Sequence, residues 1–230
     1  MQAFMSLASE VAQRVNARCS RVRRVENRVS PQVKTMALFN TATLCLGDPF
    51  TTRHAANIAS IRDGRDDLVY QPGEYLRVPF EPSAFDESNA PRLNLLLEAQ
   101  WPVLEEFASL DEWLICYLME HSAHFFKKPL TADEVRSNYR SCIRHNDKGY
   151  PPTLKVKLDI TDGKHALHCW DDNGKQVEAP ESWRNCSISP RLHVSHLWFT
   201  GTSFGPVVRL TDALLRQDED TAPTERKSPF

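Results

Sequence analysis

The sequence predicts a mainly β protein of the α+β class, with one helical insertion and flexible ends. Three observations carry that expectation. The last third of the chain alternates apolar and polar residues with period two, between turn signals. The middle carries helix-start signals followed by apolar residues at helical spacing. Glycine is scarce, at 8 of 230 residues, while proline reaches 15. That balance favours short elements joined by ordered loops and counts against folds built on several glycine-rich phosphate loops.

The elements follow in order. Phe4, Leu7, Ala8, Val11, Ala12 and Val15 have the spacing of an amphipathic helix, and Arg18 to Val29 continues it as a basic arm or edge element. Gln32 to Leu46 reads as one or two strands ending at Gly47-Asp48-Pro49, and Asp66 to Phe80 as a strand pair around Gln71-Pro72-Gly73. Glu81 to Pro91 reads as loop. Arg92 to Gln100 reads as a Leu-rich helix halted near Trp101-Pro102. Ser109 and Glu112 form a capping box for a helix reaching Phe126, and Thr131 and Glu134 a second one, leading through Val135, Tyr139 and Ile143. Leu154 to Ile160 alternates as a half-buried strand with Lys155 and Lys157 on one face. Ala166 to Trp170 turns through Asp171-Asp172-Asn173-Gly174 into Gln176-Val177, where Asn-Gly supplies positive φ. Leu192 to Thr200 then pairs with Phe204 to Leu210. Strands joined by hairpins after a helical insert describe a small antiparallel barrel or a strongly bent sheet.

Composition places the chain among ordinary globular proteins, with 41% hydrophobic and 25% charged residues. It contains no run of eighteen apolar residues for a membrane helix. Its first residues lack the compact apolar core of a secretory leader. Six scattered cysteines do not make a disulfide framework, so the expectation is a reduced, intracellular protein. The net charge of −2 conceals segregation. Residues 1–62 carry nine Lys/Arg against three Asp/Glu, 63–135 five against fifteen, and 136–216 twelve against eight. A polyanionic partner and solvated faces of opposite sign both account for such a pattern.

No phosphate-loop, dinucleotide, nucleophile-elbow or HExxH motif occurs. The carboxylate pairs Glu105-Glu106 and Asp171-Asp172 are adjacent in sequence, so their side chains diverge. Cys142-x-x-His145, His165-x-x-His168-Cys169 and His193-x-x-His196 resemble zinc half-sites. On a strand, however, residues three apart point to opposite faces, and no CxxC knuckle is present. Neither catalytic residues nor a metal or cofactor is predicted. Binding is the better match. Cations interleave with rings through Tyr139, Arg140, Arg144, Lys148, Tyr150, Lys155, Lys157, Trp170 and Trp198. On a curved sheet that combination suits single-stranded nucleic acid, with aromatic faces stacking bases and cations tracking phosphates. A barrel core also needs aromatics, and by alternation Trp198 or Phe199 points inward.

The stretch from Tyr139 to Leu214 contains Lys148-Gly149-Tyr150-Pro151-Pro152 before the lysine strand, then Cys169-Trp170-Asp171, then Leu197-Trp198-Phe199-Thr200-Gly201-Thr202-Ser203-Phe204-Gly205. These segments resemble the OB-fold single-stranded-DNA-binding proteins of large DNA viruses and related phage-type proteins. The resemblance covers about a third of the chain. It implies that Lys155, Lys157, Trp170 and Trp198 face or close the strand-binding groove. It also implies that the acidic tail, with Asp218, Glu219, Asp220 and the terminal Phe230, contacts replication proteins. Arg226-Lys227 departs from that tail pattern. The expected location is intracellular, nuclear or in a viral factory, and the clustered arginines of the basic arm equally suit a nuclear-targeting signal.

The reading is therefore a basic N-terminal helix or arm at 1–31, an OB-like antiparallel barrel at 32–216 with a helical insertion at about 92–145, and a disordered acidic tail at 217–230. Its expected function is non-catalytic binding of single-stranded DNA in replication, recombination or repair. Arg21, Arg23 and Arg24 join the sheet cations on phosphates. Two other readings stand beside it: an RNA-binding module, and an adaptor using the acidic insert and tail.

Overall fold

The computed structural model describes residues 39–53, 56–84, 92–146, 148–161, 164–201 and 203–216. The N-terminal helix and arm, with Arg21, Arg23 and Arg24, and the tail with Asp218, Glu219, Asp220 and Phe230 lie outside the described residues. The first strands are β1 (Leu44–Leu46), β2 (Phe50–Thr51), β3 (Asn57–Asp63), β4 (Asp66–Asp67), β5 (Val69–Tyr70), β6 (Leu76–Arg77), β7 (Ser83–Ala84) and β8 (Arg92–Glu98). Helices α1 (Trp101–Glu120), α2 (Ser122–Phe126) and α3 (Ala132–Asn138) follow. The chain then forms β9 (Ile143–Arg144), β10 (Thr153–Thr161), β11 (Lys164–His165), β12 (His168–Trp170), β13 (Gln176–Val177), β14 (Ser187–Thr200) and β15 (Ser203–Leu215).

The long β14–β15 hairpin is the spine. It pairs from Ile188↔Leu215 to Thr200↔Ser203 and turns at Gly201, whose φ of +57° is left-handed. Around it the sheet runs β1-β3-β14-β15-β10-β8-β7. Most pairs are antiparallel, but β10 and β12 run parallel to β15, so the sheet is mixed. β14 bends: Leu192 and His193 pair with β5 and Ser187 and Ile188 with β6, while residues 196–199 pair with β3. From β6, Arg77 reaches Glu98 of β8 at 3.1 Å, linking the two ends of the curl by side chains. The ladders among the described residues do not close a ring. The fold class is the predicted α+β one, mainly β with a helical insertion, but the expected antiparallel barrel is instead a strongly bent mixed sheet, because β10 and β12 join β15 in parallel.

Alternation decides which side of the sheet is dry. Leu154, Val156 and Leu158 of β10 are fully buried, as are Leu95 and Leu97 of β8. Against this face α1 lays Val103, Phe107, Leu110, Leu114 and Leu118, all buried and spaced three or four apart. Lys155 and Lys157 stand on the opposite face, as the alternation requires.

Several local expectations need correction. Arg92 to Gln100 is strand β8, not a helix. Its leucines favour helix intrinsically, yet seven consecutive pairs with β10, Thr153↔Glu98 to Asp159↔Arg92, override that preference. Trp101-Pro102 does not stop a helix but starts α1, since proline suits the first helical turn. Ser109 consequently lies inside α1 and caps nothing, and the insertion's helices span 101–138 rather than 92–145. The Thr131–Glu134 capping box is present in both directions, but its helix ends at Asn138, and Tyr139 is already extended. The Asp171–Gly174 turn forms as read, with Gly174 at φ +74°.

Candidate nucleic-acid interface

The outer face of β3, β14, β15 and β10 forms the floor of a groove of about 880 Å³. Ile58 comes from β3, His196 and Trp198 from β14, Val207 and Arg209 from β15, and Lys155 and Lys157 from β10. One rim is the turn between β2 and β3, with Thr52, Arg53 and Ala56; the other is the segment from Tyr139 to Arg144. Six Lys/Arg side chains line the groove: Arg53, Arg140, Arg144, Lys155, Lys157 and Arg209. Among the described residues no Asp or Glu lines it.

A bulge determines which rings of β14 face this groove. The register runs Val194↔Val208 and then His196↔Val207, so Ser195 is the extra residue. Before it, the inward residues are even-numbered, with Ile188, Leu192 and Val194 fully buried; after it Leu197 is. Phe199 therefore turns inward and stacks on Phe125 at 6.0 Å between centroids, while Trp198 turns outward into the groove. The bulge also corrects the inference about His193 and His196, which a regular strand would send to opposite faces. Both lie outside the core: His193 approaches Asp67 at 3.8 Å, and His196 lines the groove. No group of three His, Cys, Asp or Glu among the described residues is arranged to hold a metal ion.

The 139–144 rim is held from several sides. Tyr139 Oη donates to Asp111 of α1 at 2.5 Å, and Ser141 Oγ donates to the same carboxylate. Arg140 N donates to the Phe204 carbonyl at 2.8 Å, and Lys155 N to the Cys142 carbonyl at 2.9 Å. Burial pushes the Asp111 carboxyl up, with the two hydroxyl donors pulling against it. Beneath the rim lies Gly205. A Cβ there would sit 2.1 Å from the Arg140 carbonyl oxygen, so only glycine lets the rim pass this close.

Cations crowd the floor. Burial first, and then repulsion from the Arg144 guanidinium, hold the Lys155 ammonium below the ordinary lysine range. Arg209 is tied to Asp159 at 2.9 Å and stands opposite Lys157 in the parallel pair. A groove with this excess of positive charge attracts an anion that replaces the lost hydration.

Of the residues singled out in the sequence, Arg140, Arg144, Lys155, Lys157 and Trp198 are brought together here. Lys148 and Tyr150 are exposed on the loop between β9 and β10 and do not line the groove. Trp170 lies on β12, where its indole N–H donates to Asp212 at 3.2 Å, also outside the lining. Sequence reasoning missed Arg53, Ile58, His196 and Arg209. The bulge hid His196, and Arg209 became visible only through its register with Lys157.

No family profile and no curated relative matches the chain. Among solved structures, the chain is similar to the single-stranded DNA-binding protein from bacteriophage Enc34 in complex with ssDNA. Identity is 10%, coverage 82% of this chain and 98% of that one, and the TM-score 0.43. It is also similar to gp2.5, a single-stranded DNA binding protein encoded by bacteriophage T7, at 15% identity over 71% and 97% of the two chains, with a TM-score of 0.40.

Proposed function

We propose that this chain binds single-stranded DNA in the groove, without catalysis, as a protein of replication, recombination or repair. The observation that carries the reading is the groove's lining: six Lys/Arg, an outward indole and no carboxylate among the described residues. Cations on the two rims and on β10 suit contacts along a phosphate chain, while Trp198 on the floor offers a face for a base. A duplex hides its base faces inside the stack and gains nothing from Trp198. Arg21, Arg23 and Arg24 belong to the proposal as further phosphate contacts. Asp218, Glu219, Asp220 and Phe230 belong to it as the contact for replication proteins.

The test is fluorescence anisotropy of a labelled thymidine oligomer of about 30 nucleotides, at several salt concentrations. Each phosphate contact adds about −0.7 to the log–log salt slope on single strands. The groove's Lys/Arg alone give a slope of about −3.5 to −4.2, and Arg21, Arg23 and Arg24 make it steeper. Submicromolar binding with a slope at least that steep, and much weaker duplex binding, is the expected result. No binding at low salt overturns the proposal. Tighter binding of an RNA oligomer of the same sequence redirects it to RNA.

A further inference from the structure

Phe50 is half exposed, at 53%, on the two-residue strand β2, and the groove lining does not include it. An exposed phenylalanine alone means little. Its register gives it meaning. Phe50 stands directly opposite Ile58, Ile58 directly opposite Trp198, and Trp198 directly opposite Gly205. Residues directly opposite in antiparallel pairs project to the same face of the sheet. Ile58 and Trp198 are floor residues of the groove. Phe50 therefore continues their row outward, two strand spacings or about 9–10 Å from Trp198.

Hydrogen bonds fix the ends of β2 and β3 that carry the row. The β2–β3 turn is closed by Thr52 N on the Ala56 carbonyl at 2.8 Å and by Thr51 Oγ1 on Asn57 Oδ1 at 2.6 Å. Arg53, one turn further on, lines the groove beside it. At the other end of the row, the Arg140 backbone closes over Gly205. The row is thus covered by backbone at its Gly205 end, while at its other end Phe50 stands exposed beside the Thr52–Ala56 rim.

We propose that Phe50 is a second base-stacking residue, receiving a base where the strand leaves the groove between Trp198 and Arg53. This rests on the proposed function and deepens it by assigning the exit path. Base–ring stacking implies that Phe50→Ala weakens binding of the thymidine oligomer by about 5- to 150-fold. The salt slope stays unchanged, because no phosphate contact is lost. Phe50→Trp restores the affinity and adds fluorescence quenching on binding beyond that of the wild type. An oligomer with abasic positions removes the stacking partner, so on it wild type and Phe50→Ala bind alike. A wild type that binds the thymidine oligomer, with Phe50→Ala binding equally well, overturns this assignment alone. A wild type that binds no oligomer overturns the proposed function and this assignment together.

Discussion

Gly205→Ala is the substitution for which the structure sets the largest effect per atom added. The new methyl would lie 2.1 Å from the Arg140 carbonyl oxygen and 3.1 Å from its carbon. An ordinary C···O approach is about 3.3 Å, so the rim must move by about 1.2 Å. The obstacle is backbone, and it cannot swing aside as a long side chain can. It is fixed by Arg140 N on Phe204 O, by Tyr139 and Ser141 on Asp111, and by Lys155 N on Cys142 O. Overpacking of this kind costs about 1–3 kcal/mol, and losing the Arg140–Phe204 hydrogen bond about 1 more. The variant is therefore expected to lose about 2–4 kcal/mol in urea denaturation. Because Arg140 and Arg144 ride on the displaced rim, the salt slope for single-stranded DNA should shrink by about 1.4, the share of two phosphate contacts. Gly201→Ala is the control. It has open space around it but a φ of +57°, so it costs about 1–2 kcal/mol and leaves the slope alone. Stability within about 0.5 kcal/mol of wild type, together with an unchanged slope, would refute the close-approach reasoning.

Four further outcomes follow from the same geometry. Lys155 is held below the ordinary 10.5 by burial and Arg144, and a bound phosphate favours its charged form, so affinity should fall as pH rises through that lowered value. Lys155→Arg should abolish the fall, as read by anisotropy between pH 7 and 10.5. Glu112 is held below the usual 4.5 by its hydrogen bond from Arg136, so the unfolded chain takes up this proton first and the contribution fades as pH falls through the lowered folded-state value. Denaturation of Glu112→Gln against wild type should show that difference present at neutral pH and vanishing in acid. Leu97→Ala removes a fully buried side chain at the β8–β10 pairing and should cost about 2–5 kcal/mol in urea denaturation. Trp198→Ala should weaken oligomer binding by about 1–3 kcal/mol, while Trp170→Ala, outside the groove, leaves it unchanged.

What the sequence made legible was local chemistry. The alternation of Leu154 to Leu158 placed Lys155 and Lys157 on an outer face without any knowledge of the partners of β10. Thr131 and Glu134 marked a helix start, and Asn173-Gly174 marked a hairpin turn, because each motif satisfies its own backbone. Illegible features depended on distant partners. Leu93 to Leu97 suit a helix until β10 pairs with them. Ser195 gives no sign that it is the extra residue of a bulge, yet it alone sends Trp198 outward and Phe199 inward. Arg53 belongs to a turn between strands too short to show periodicity, and Arg209 enters the floor only because β15 runs parallel to β10. Arg140, Arg144, Lys155, Lys157 and Trp198 fell into one groove through the strand faces and the rim, while Lys148, Tyr150 and Trp170, read from the same interleaving of cations and rings, lie outside it.

The most direct test of the groove itself is photocrosslinking with a thymidine oligomer carrying 5-iodouracil, followed by peptide mapping of the adducts. Adducts are expected on the β14 peptide that contains Trp198, in lower yield with Lys155→Ala combined with Lys157→Ala. Adducts confined to peptides outside the groove, such as those containing Trp101 or Trp170, with none on Trp198, would contradict binding in the groove.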